Sequence, residues 1–370
     1  MLYYQIGITL SLVAFVGLVL RNLRVYCKPS SQMPQESPFI SICIPARNEE
    51  ANIKQCVQSI LAQVYTNFEL LVMDDCSEDA TADIVRALAA RDGRIRLLKG
   101  RPIELGWAGK CHACSQLAGV AQGEYLLFMD ADTRAEPALV GSAMALIEQT
   151  KADMVSAFPY QVTGTFWERV VLPMLQFLIT TLLPIHLVWE SPSPAFCAAC
   201  GQFELFRKES YERIGGHAGV RASFHDGLLL ARKVKASGGT LRLFDATELL
   251  RCRMYEGGRA VWNGFTRNAY EGLGSFGVLL GMTWALGSLF LAPYIFFMLG
   301  LWTHSGWTAL CVLQILLMLA IRVIQARRFG HTATIPLLPL AIAALIVIQW
   351  GSLFRKGQLQ SWKGRSYRPL

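Results

Sequence analysis

Residues 125–132 of the chain read YLLFMDAD, five apolar residues followed by Asp130, Ala131 and Asp132. A short apolar run that opens into acidic residues is typical of a buried parallel strand, because ligands of such sheets bind beyond the carboxyl ends of the strands. Two carboxylates two positions apart can bind a hard divalent cation such as Mg²⁺ or Mn²⁺, which prefers oxygen ligands. A solvated strand end has the same pattern, so this stretch alone does not decide the function.

Two earlier segments have the same organisation. FISICIPA (39–46) and FELLVMDD (68–75) are predicted to be buried parallel strands, with helices at 49–62 and 81–90. The apolar run that begins at residue 95 continues the series. This alternation predicts an α/β fold with a parallel sheet and right-handed crossovers. The acidic residues that follow the strands are then expected at one edge of the sheet.

The composition indicates that part of the chain lies in a membrane. Apolar residues make up 53% of the 370 residues and charged residues only 17%, against about 25% charged in soluble domains. Residues 3–20 are apolar and uncharged, as in a spanning helix, and Arg21, Arg24 and Lys28 follow them. The positive-inside rule therefore predicts an N-terminal anchor in residues 1–28 and a cytoplasmic catalytic domain at the cell membrane.

Four further segments are strongly apolar. Residues 167–189 are interrupted by Pro173 and Pro184, which predicts an interfacial or re-entrant segment rather than a spanning helix. The C-terminal quarter contains the apolar stretches 278–302, 307–321 and 335–354. The last of these is short and has two prolines near its start, so we expect it not to cross the membrane. One N-terminal and two C-terminal crossings then leave the basic tail cytoplasmic.

The formal net charge of +8 is compatible with several kinds of partner. Because the basic residues cluster at the ends of apolar segments and no helix-turn-helix pattern occurs, we expect a membrane surface and no nucleic acid. The ten cysteines lie mostly in apolar runs and are predicted to be reduced core residues. The two CxxC pairs are too far apart in the sequence for a zinc ribbon.

Taken together, the strand ends resemble a known family. PARNEE (45–50), DDCSEDAT (74–81) and DAD (130–132) are similar to the PxxNE, DDGSxDxT and DxD motifs of family 2 glycosyltransferases. Cys76 stands where the family usually has Gly, so the turn there is expected to differ in detail. GWAGK (106–110) and an RMY…W…RN pattern that starts at Arg253 resemble the membrane-bound subgroup that glycosylates carotenoids and other polyprenoids. That subgroup is similar to hopanoid-associated and ceramide glucosyltransferases.

The resemblance implies a GT-A type, Rossmann-like domain that binds a nucleotide-sugar, with UDP as the expected nucleotide, and a Mg²⁺ or Mn²⁺ ion. The residues it implies for nucleotide-sugar binding are Pro45, Arg47, Asn48, Glu49, Asp74, Asp75, Lys110 and Asp130. The implied metal ligands are Asp130 and Asp132. The residues implied for the acceptor or diphosphate side are Gly201, Gln202, Arg253, Tyr255, Arg259, Trp262 and Arg267. The residues from Arg253 to Arg267 have an alternative interpretation, because an interfacial belt of Trp and Arg at the membrane would give the same pattern.

The resemblance also points to Asp226 in FHDG (224–227), where the family usually has Glu-Asp. An inverting transfer to a hydroxyl needs a carboxylate that accepts the hydroxyl proton, and Asp226 is the predicted general base. The same residue can cap the helix that follows, and the two roles are compatible. His225 replaces the usual Glu, and the sequence leaves its role open.

The expected function is inverting transfer of a single sugar to a lipid-like hydroxyl acceptor such as a carotenoid or hopanoid, because the QxxRW motif of polymer-forming members is absent. A polyprenyl-phosphate or ceramide-type acceptor is the alternative. A transporter is disfavoured because residues 278–321 carry no charge, and an inactive membrane scaffold because every acidic strand end is retained. The predicted domains are the anchor 1–28, the catalytic domain 38–275, the membrane helices 276–356 and the tail 357–370.

Overall fold

The computed structural model describes residues 1–29, 33–356, 358 and 360–367. The chain divides into two compact units. The helical unit consists of Met1–Val25, Thr163–His186 and Tyr255–Lys356, and the sheet unit of Tyr26–Val162, Leu187–Met254 and Gly357–Leu370. These limits differ from the predicted domain boundaries, because residues 163–186 and 255–275 group with the apolar helices and the tail groups with the sheet.

The sheet unit contains strands and short helices in alternation. Its strands are β1 (Ile40–Ala46), β2 (Phe68–Asp74), β3 (Ile95–Lys99), β4 (Tyr125–Met129), β5 (Thr133–Ala135), β6 (Met154–Gln161), β7 (Phe203–Arg207), β8 (Leu241–Cys252), β9 (Gln360–Trp362) and β10 (Arg365–Tyr367). Its helices are α2 (Ile53–Leu61), α3 (Thr81–Ala89), α4 (Gly109–Val120), α5 (Leu139–Thr150), α8 (Leu187–Glu190), α9 (Lys208–Arg213) and α10 (Asp226–Ala236), with a 3₁₀ turn at His217–Val220.

The main sheet is mixed, in the order β3-β2-β1-β4-β7-β6-β8-β5. β1 pairs in parallel with both β2 and β4, and β2 pairs in parallel with β3. β7 is antiparallel to both of its neighbours, β4 and β6. Because β1, β2 and β4 run in the same direction, the residues that follow them meet at one edge of the sheet. This edge, formed by the turns after β1, β2 and β4, is called the donor edge below.

The predicted strands 39–46 and 68–75 correspond closely to β1 and β2. The predicted helix at 49–62 begins only at Ile53, because Glu49 to Asn52 form a turn in which the amides of Asn52 and Ile53 both donate to the carbonyl of Glu49. One face of the sheet packs on α2, α3 and α5 through a continuous apolar core. Its members on β1 are Ile40, Ile42, Ile44 and Ala46, which alternate along the strand as one face of a sheet requires.

The helical unit contains α1 (Leu2–Val25), α6 (Phe166–Val171), α7 (Met174–Leu182), α11 (Gly258–Leu273), α12 (Phe276–Leu286), α13 (Ala292–Thr303), α14 (Thr308–Phe329) and α15 (Leu338–Phe354). Four helical segments are long and apolar enough to cross a membrane: Leu2–Val25, Phe276–Thr303, Thr308–Phe329 and Thr334–Phe354. Residues 167–189 form none, because Pro173 separates two short helices. That this segment lies at the membrane interface stays a prediction.

The prediction that residues 335–354 are too short to span a membrane is wrong as far as helix length is concerned. A 3₁₀ turn at Thr332–Leu337 continues into α15, so the helical segment Thr334–Phe354 has 21 residues. Its first prolines lie in the 3₁₀ turn and the first turn of α15, where a missing N–H disrupts no helical hydrogen bond. The number of crossings is therefore not settled by helix length.

β9 and β10 form a two-stranded antiparallel hairpin, residues 360–367, in which Arg365 pairs with Trp362. Its two turn residues, Lys363 and Gly364, have φ angles of 49° and 80°. Positive φ at both central residues defines the tight turn whose twist matches that of paired strands, and Gly adopts it without steric cost. The sequence Lys-Gly therefore directs this hairpin.

Candidate active site

The turns after β1 and β2 are held together by hydrogen bonds at the donor edge. The amide of Asn48 donates to Ser77 Oγ at 3.1 Å, and the amide of Glu49 donates to Thr81 Oγ1 at 2.8 Å. In return the amide of Glu78 donates to Asn48 Oδ1 at 2.9 Å. Asn48 has a φ of 51°, in the left-handed region that Asn tolerates better than most residues. The two turns predicted to bind the nucleotide thus form one continuous surface.

Arg47 lies beneath this surface and is 6% exposed. Its Nη1 donates to the carbonyl of Asp75 at 2.8 Å, and its Nε donates to the carbonyl of Lys363 at 2.8 Å. Pro45 lies within β1 opposite Met73. Asp74 Oδ1 accepts from the amide of Ser77 at 3.2 Å. Of the residues predicted to bind the nucleotide, Arg47 and Asp74 therefore also shape the turns themselves.

Asp75 is 2% exposed and is bound by the C-terminal hairpin. Arg365 donates from Nη1 to Asp75 Oδ2, and from Nη2 to the carbonyl of Asp75 at 3.0 Å. Burial raises the pKa of Asp75, although Arg365 and Arg47 act in the opposite direction. Its other oxygen, Oδ1, is buried and has no hydrogen-bond partner among the described residues. A buried acceptor of this kind is costly unless a donor reaches it, as an N–H group of a ligand would.

Glu49 is 9% exposed and is bound by the same hairpin. Lys363 Nζ lies 3.0 Å from Glu49 Oε1 and donates to the carbonyl of Asn48 at 3.2 Å. Asn52 Nδ2 donates to the other carboxylate oxygen of Glu49 at 3.0 Å. The two acidic residues of the donor edge that are most buried, Glu49 and Asp75, are thus each paired with one cation of the hairpin.

Cys76 has a φ of 54°, the left-handed conformation that Gly adopts freely. The sequence predicted that the turn would differ in detail where Cys replaces the usual Gly. In this structure the turn places Cys in a conformation that favours Gly, and a difference from the family's turn stays a prediction. For an L-residue this conformation costs roughly 1–2 kcal/mol.

Asp130 and Asp132 lie where β4 ends. Burial raises the pKa of Asp132 to about 7, with Asp130 and Glu49 adding like-charge repulsion. Asp132 Oδ1 is buried and has no hydrogen-bond partner among the described residues. An unpaired buried carboxylate oxygen beside a second carboxylate fits a divalent cation, which would satisfy the oxygen and offset the repulsion. The two residues predicted as metal ligands therefore have the environment that this role requires.

Lys110 lies between Asp130, a predicted metal ligand, and Asp226, the predicted base. Its ammonium lies 2.8 Å from Asp130 Oδ1 and 3.3 Å from Asp226 Oδ2, and it donates to the carbonyl of Gly201 at 2.9 Å. Burial opposes its charge, but Asp130 and Asp226 outweigh this effect and hold the pKa of Lys110 well above its usual range. A Cβ at position 201 would lie 2.9 Å from Lys110 Nζ, so a larger residue there would require the ammonium to shift.

Asp226 is the first residue of α10 and is 6% exposed. Burial alone would raise its pKa, but Lys110, His217 and the amide of Gly227 outweigh burial and hold the pKa of Asp226 well below its usual range. A position at the start of a helix also favours the carboxylate through the helix dipole. Asp226 is therefore ionised in this state and able to accept a proton. His225 precedes it as the helix cap residue, and burial lowers the pKa of its ring.

Two further residues complete the cluster, and the sequence reasoning did not identify them. Glu204 on β7 and His217 in the 3₁₀ turn are both fully buried, and each offers a ligand atom within 4.8 Å of an oxygen of Asp226. Glu204 interrupts an apolar strand, FELFR, and Phe203 and Leu205 on either side of it belong to the core of the opposite face. An acidic residue within an apolar strand is the signal that could have found it.

Glu204, His217 and Asp226 have the donor atoms of a metal site, but the charges around them favour another state. The Lys110 ammonium already lies 3.3 Å from Asp226, where a second cation would be repelled. Burial raises the pKa of Glu204 well above its usual range, and Asp226 adds to the effect. Burial likewise lowers the pKa of His217. We therefore describe Glu204 as a neutral carboxyl and His217 as a neutral ring beside the Asp226 carboxylate.

The residues predicted for the acceptor side fall into two groups. In the sheet unit, Gln202 is 3% exposed; Gln161 donates to its Oε1, and its own Nε2 lies 2.8 Å from Cys252 Sγ. Cys252 in turn hydrogen-bonds Asp132. Gln202 is therefore linked through Cys252 to Asp132, one of the predicted metal ligands. Arg253 directly follows β8.

The second group lies in the helical unit. Arg259, Trp262 and Arg267 are on α11, and Tyr255 precedes this helix. The Trp262 ring packs on α15 where Gly351 leaves room, since a Cβ at Gly351 would lie 2.8 Å from it. Trp262 thus has a packing role within the helical unit, and its role toward an acceptor stays a prediction.

Comparisons with known proteins bear on the family and the fold. Residues 41–215 match the model of glycosyl transferase family 2. A 4,4'-diaponeurosporenoate glycosyltransferase of Staphylococcus haemolyticus is 28% identical over 256 residues, covering 68% of this chain and 67% of that protein. A 4,4'-diaponeurosporenoate glycosyltransferase of Staphylococcus aureus is 26% identical over 355 residues, covering 89% of this chain and 88% of that protein. The glycosyltransferase GlyG of Streptococcus pneumoniae is 27% identical, covering 56% of this chain and 71% of that protein.

Among solved structures, the chain resembles the mannosyltransferase PcManGT of Pyrobaculum calidifontis, solved in complex with GDP-Man and Mn²⁺. The TM-score is 0.57 at 18% identity, and the match covers 94% of this chain and 97% of that one. The likeness confirms the GT-A fold expected from the sequence. Residues 41–215 of the chain therefore match glycosyl transferase family 2, and the chain is similar to glycosyltransferases over most of its length.

Proposed function

We propose that this chain transfers a sugar, with inversion, from a nucleotide-sugar to the polar end group of a carotenoid-like lipid. One observation carries the proposal: Lys110 lies between the metal pair and the predicted base, within 2.8 Å of Asp130 and 3.3 Å of Asp226. A cation site, a fixed ammonium and a carboxylate in this arrangement match the three needs of the reaction. They are charge stabilisation on the leaving diphosphate, its orientation, and removal of the acceptor proton.

The donor is proposed to bind at the donor edge. Asp75 Oδ1 is the buried acceptor there that lacks a partner among the described residues, and a nucleobase N–H would satisfy it. Uracil and guanine both have such a group, so this oxygen is compatible with UDP, the expected nucleotide, and with GDP. Asp130 and Asp132 would hold Mg²⁺ or Mn²⁺, which supplies Lewis-acid stabilisation of the leaving diphosphate when bound.

Lys110 is proposed to couple donor binding to the activation of Asp226. In the structure as it stands, its ammonium keeps the pKa of Asp226 low, so Asp226 is a weak base. A donor diphosphate attracts the same ammonium, and each bond that Lys110 gives to phosphate weakens its hold on Asp226. Asp226 then becomes more basic when the donor is in place, which is the state in which a proton must be accepted.

The acceptor is proposed from the names of the relatives. 4,4'-Diaponeurosporenoate is a carotenoid with a carboxylate end group, whereas the expected acceptor for this chain carries a hydroxyl. The two chemistries differ in one respect. A hydroxyl must lose a proton during the transfer, but a carboxylate already has the free electron pair, so it needs no general base. The dependence on Asp226 therefore distinguishes a hydroxyl acceptor from a carboxylate acceptor.

The test is transfer of label from radioactive UDP-sugars and GDP-sugars to lipid in membranes that contain the chain. Hydroxylated carotenoids, hopanoids, ceramide, polyprenyl phosphate and carotenoid carboxylates are supplied as separate acceptors. With a hydroxyl acceptor, Asp226→Asn should lower kcat by roughly 10²–10⁴-fold with the donor KM unchanged. Near wild-type turnover of this variant on a carboxylate acceptor would favour the second chemistry. No labelled product from any donor and acceptor pair would refute the proposed function.

The location follows from the helices and charges. Four long apolar helical segments indicate association with a membrane. We place the sheet unit on the cytoplasmic side of the cell membrane, because Arg21, Arg24 and Lys28 follow the first segment. Nucleotide-sugars would then be available from the cytoplasm, and a lipid acceptor from the bilayer.

A further inference from the structure

We infer that the C-terminal hairpin, residues 360–367, is part of the donor site and that Lys363 and Arg365 position Glu49 and Asp75 for binding of the nucleoside diphosphate. This inference rests on the proposed function and gives a role to WKGRSY (362–367), a stretch that also resembles the family but to which the sequence assigned no role. It comes from two features of the structure: which residues the hairpin contacts, and what those contacts leave unsatisfied.

The contacts of the described hairpin side chains fall on the donor edge. Arg365 binds the carboxylate and the carbonyl of Asp75, and Lys363 Nζ lies 3.0 Å from Glu49 Oε1. The backbone takes part as well, since the carbonyl of Lys363 accepts from Arg47 Nε at 2.8 Å. These partners are 290 and 316 residues away in the sequence. The hairpin therefore reaches back to the same turns that are predicted to bind the nucleotide.

A two-stranded hairpin is at best marginally stable on its own. Here the ion pairs are well placed to compensate, because Asp75 is 2% exposed and Glu49 is 9% exposed. Pairs with one buried partner contribute more than fully exposed ones. The dependence is mutual: the hairpin is held by the two carboxylates, and the two carboxylates are oriented and neutralised by the hairpin.

The pairing leaves room for a ligand. Arg365 occupies Oδ2 of Asp75 but leaves the buried Oδ1 without a partner among the described residues. Without the hairpin, Glu49 and Asp75 would lose these ion pairs, and a dianionic diphosphate would approach carboxylates whose charge is no longer offset. The hairpin cations thus lower the electrostatic cost of donor binding and fix the acceptor that a nucleobase N–H would meet.

The experiment measures binding of UDP and of GDP, each with Mg²⁺, to the full-length protein in detergent by titration calorimetry. Steady-state KM values for donor and acceptor are measured in parallel. Arg365→Ala and Lys363→Ala should each weaken binding of the preferred diphosphate by roughly 10-fold, the usual effect of losing a hydrogen bond to a charged group. The donor KM should rise similarly and the acceptor KM should not change. Arg365→Lys keeps the charge and should recover part of the affinity.

Arg96→Ala is the matched control. Arg96 Nη1 pairs at 3.0 Å with Glu69, a buried carboxylate at the opposite end of β2. Its loss removes an ion pair of the same type outside the donor edge, so nucleotide binding should stay at the wild-type level. Thermal unfolding of each variant checks that the fold is retained.

The outcomes separate this inference from the proposed function. If the wild-type protein binds neither UDP nor GDP, the proposed function fails. If it binds one of them and both hairpin variants bind it equally well, the hairpin is only a structural element and the inference is wrong. Tighter binding by the variants would also overturn it, because the hairpin would then compete with the donor instead of helping to hold it.

Discussion

Glu204→Gln tests the charge state of the cluster formed by Glu204, His217 and Asp226. An unfolded Glu loses its proton near pH 4.3, whereas burial keeps Glu204 protonated to a higher pH in the folded protein. Above pH 4.3 the unfolded state therefore binds fewer protons, and stability falls as pH rises towards the raised pKa of Glu204. The slope is about 1.4 kcal/mol per pH unit, which corresponds to roughly 3–6 °C in Tm for a domain of 150–250 residues. Gln has the shape of the neutral carboxyl but no proton to lose, so this fall disappears in the variant.

The assay is thermal unfolding of the full-length protein in detergent from pH 5 to pH 8. The Tm difference between Glu204→Gln and wild type should grow with pH, and transfer activity should stay within about 10-fold of wild type. Glu148→Gln is the control of opposite sign. Burial raises the pKa of Glu148, but Tyr125 and Arg207 outweigh burial and lower it, so this carboxylate stabilises the fold above its usual pKa and loses the effect as pH falls. Its variant should be less stable than wild type by a constant amount from pH 5 to pH 8, because the lowered pKa of Glu148 lies below this range.

A different result would refute the assignment of Glu204. If Glu204 is an ionised metal ligand, Gln removes a charged donor from the site. Transfer would then be lost, and no stability gain that grows with pH would accompany the loss. Such a result would support a cation held by Glu204, His217 and Asp226 despite the nearby ammonium of Lys110.

Two further predictions concern the donor edge. Asp132→Ala should abolish transfer while leaving the Tm at or above the wild-type value, because it removes a carboxylate that has like-charged neighbours. Asp83→Ala, at an exposed ion pair outside the donor edge, is the activity control. Wild-type turnover of Asp132→Ala without added cation would disprove the metal assignment. Cys76→Gly should raise the free energy of unfolding by up to about 1 kcal/mol, since relief of roughly 1–2 kcal/mol of strain exceeds the entropic cost of Gly. A clear loss of stability in chemical denaturation would show that the Cys76 side chain contributes more than its backbone strain removes.

The part of the site that sequence predicts well is local. β1, β2 and β4 are apolar runs with an acidic or polar end. Parallel pairing brings those ends to one edge of the sheet, and this does not depend on the other strands or on the loops. Lys110 and Asp226 were proposed as site residues because each lies in a short motif beside a helix start, and their roles stay predictions. The structure adds that the two side chains meet, which their separation in the chain does not reveal.

The part that sequence missed depends on contacts between distant segments. Glu204 was not singled out because a charged residue in a strand is usually on a solvated face, and only the packing of β7 between β4 and β6 makes this one buried. Arg365 was assigned to a basic tail, within the closing WKGRSY (362–367) that resembles the family, and no partner was predicted for it. Its bond to Asp75 spans 290 residues, and no local pattern predicts a pair at that separation.

The position of the hairpin also restricts the path of the chain through the membrane. Lys363 and Arg365 touch Glu49 and Asp75, so the end of the chain and the sheet must be on the same side of the bilayer. Three helical segments that are long enough to cross, Phe276–Thr303, Thr308–Phe329 and Thr334–Phe354, lie between the sheet strands and the hairpin. Three full crossings would place the hairpin on the side of the bilayer opposite to the sheet. Two crossings and one re-entrant segment would place both on the same side. If these segments span a membrane, the ion pairs of the hairpin require an even number of crossings between the sheet and the hairpin, which hydropathy alone leaves open.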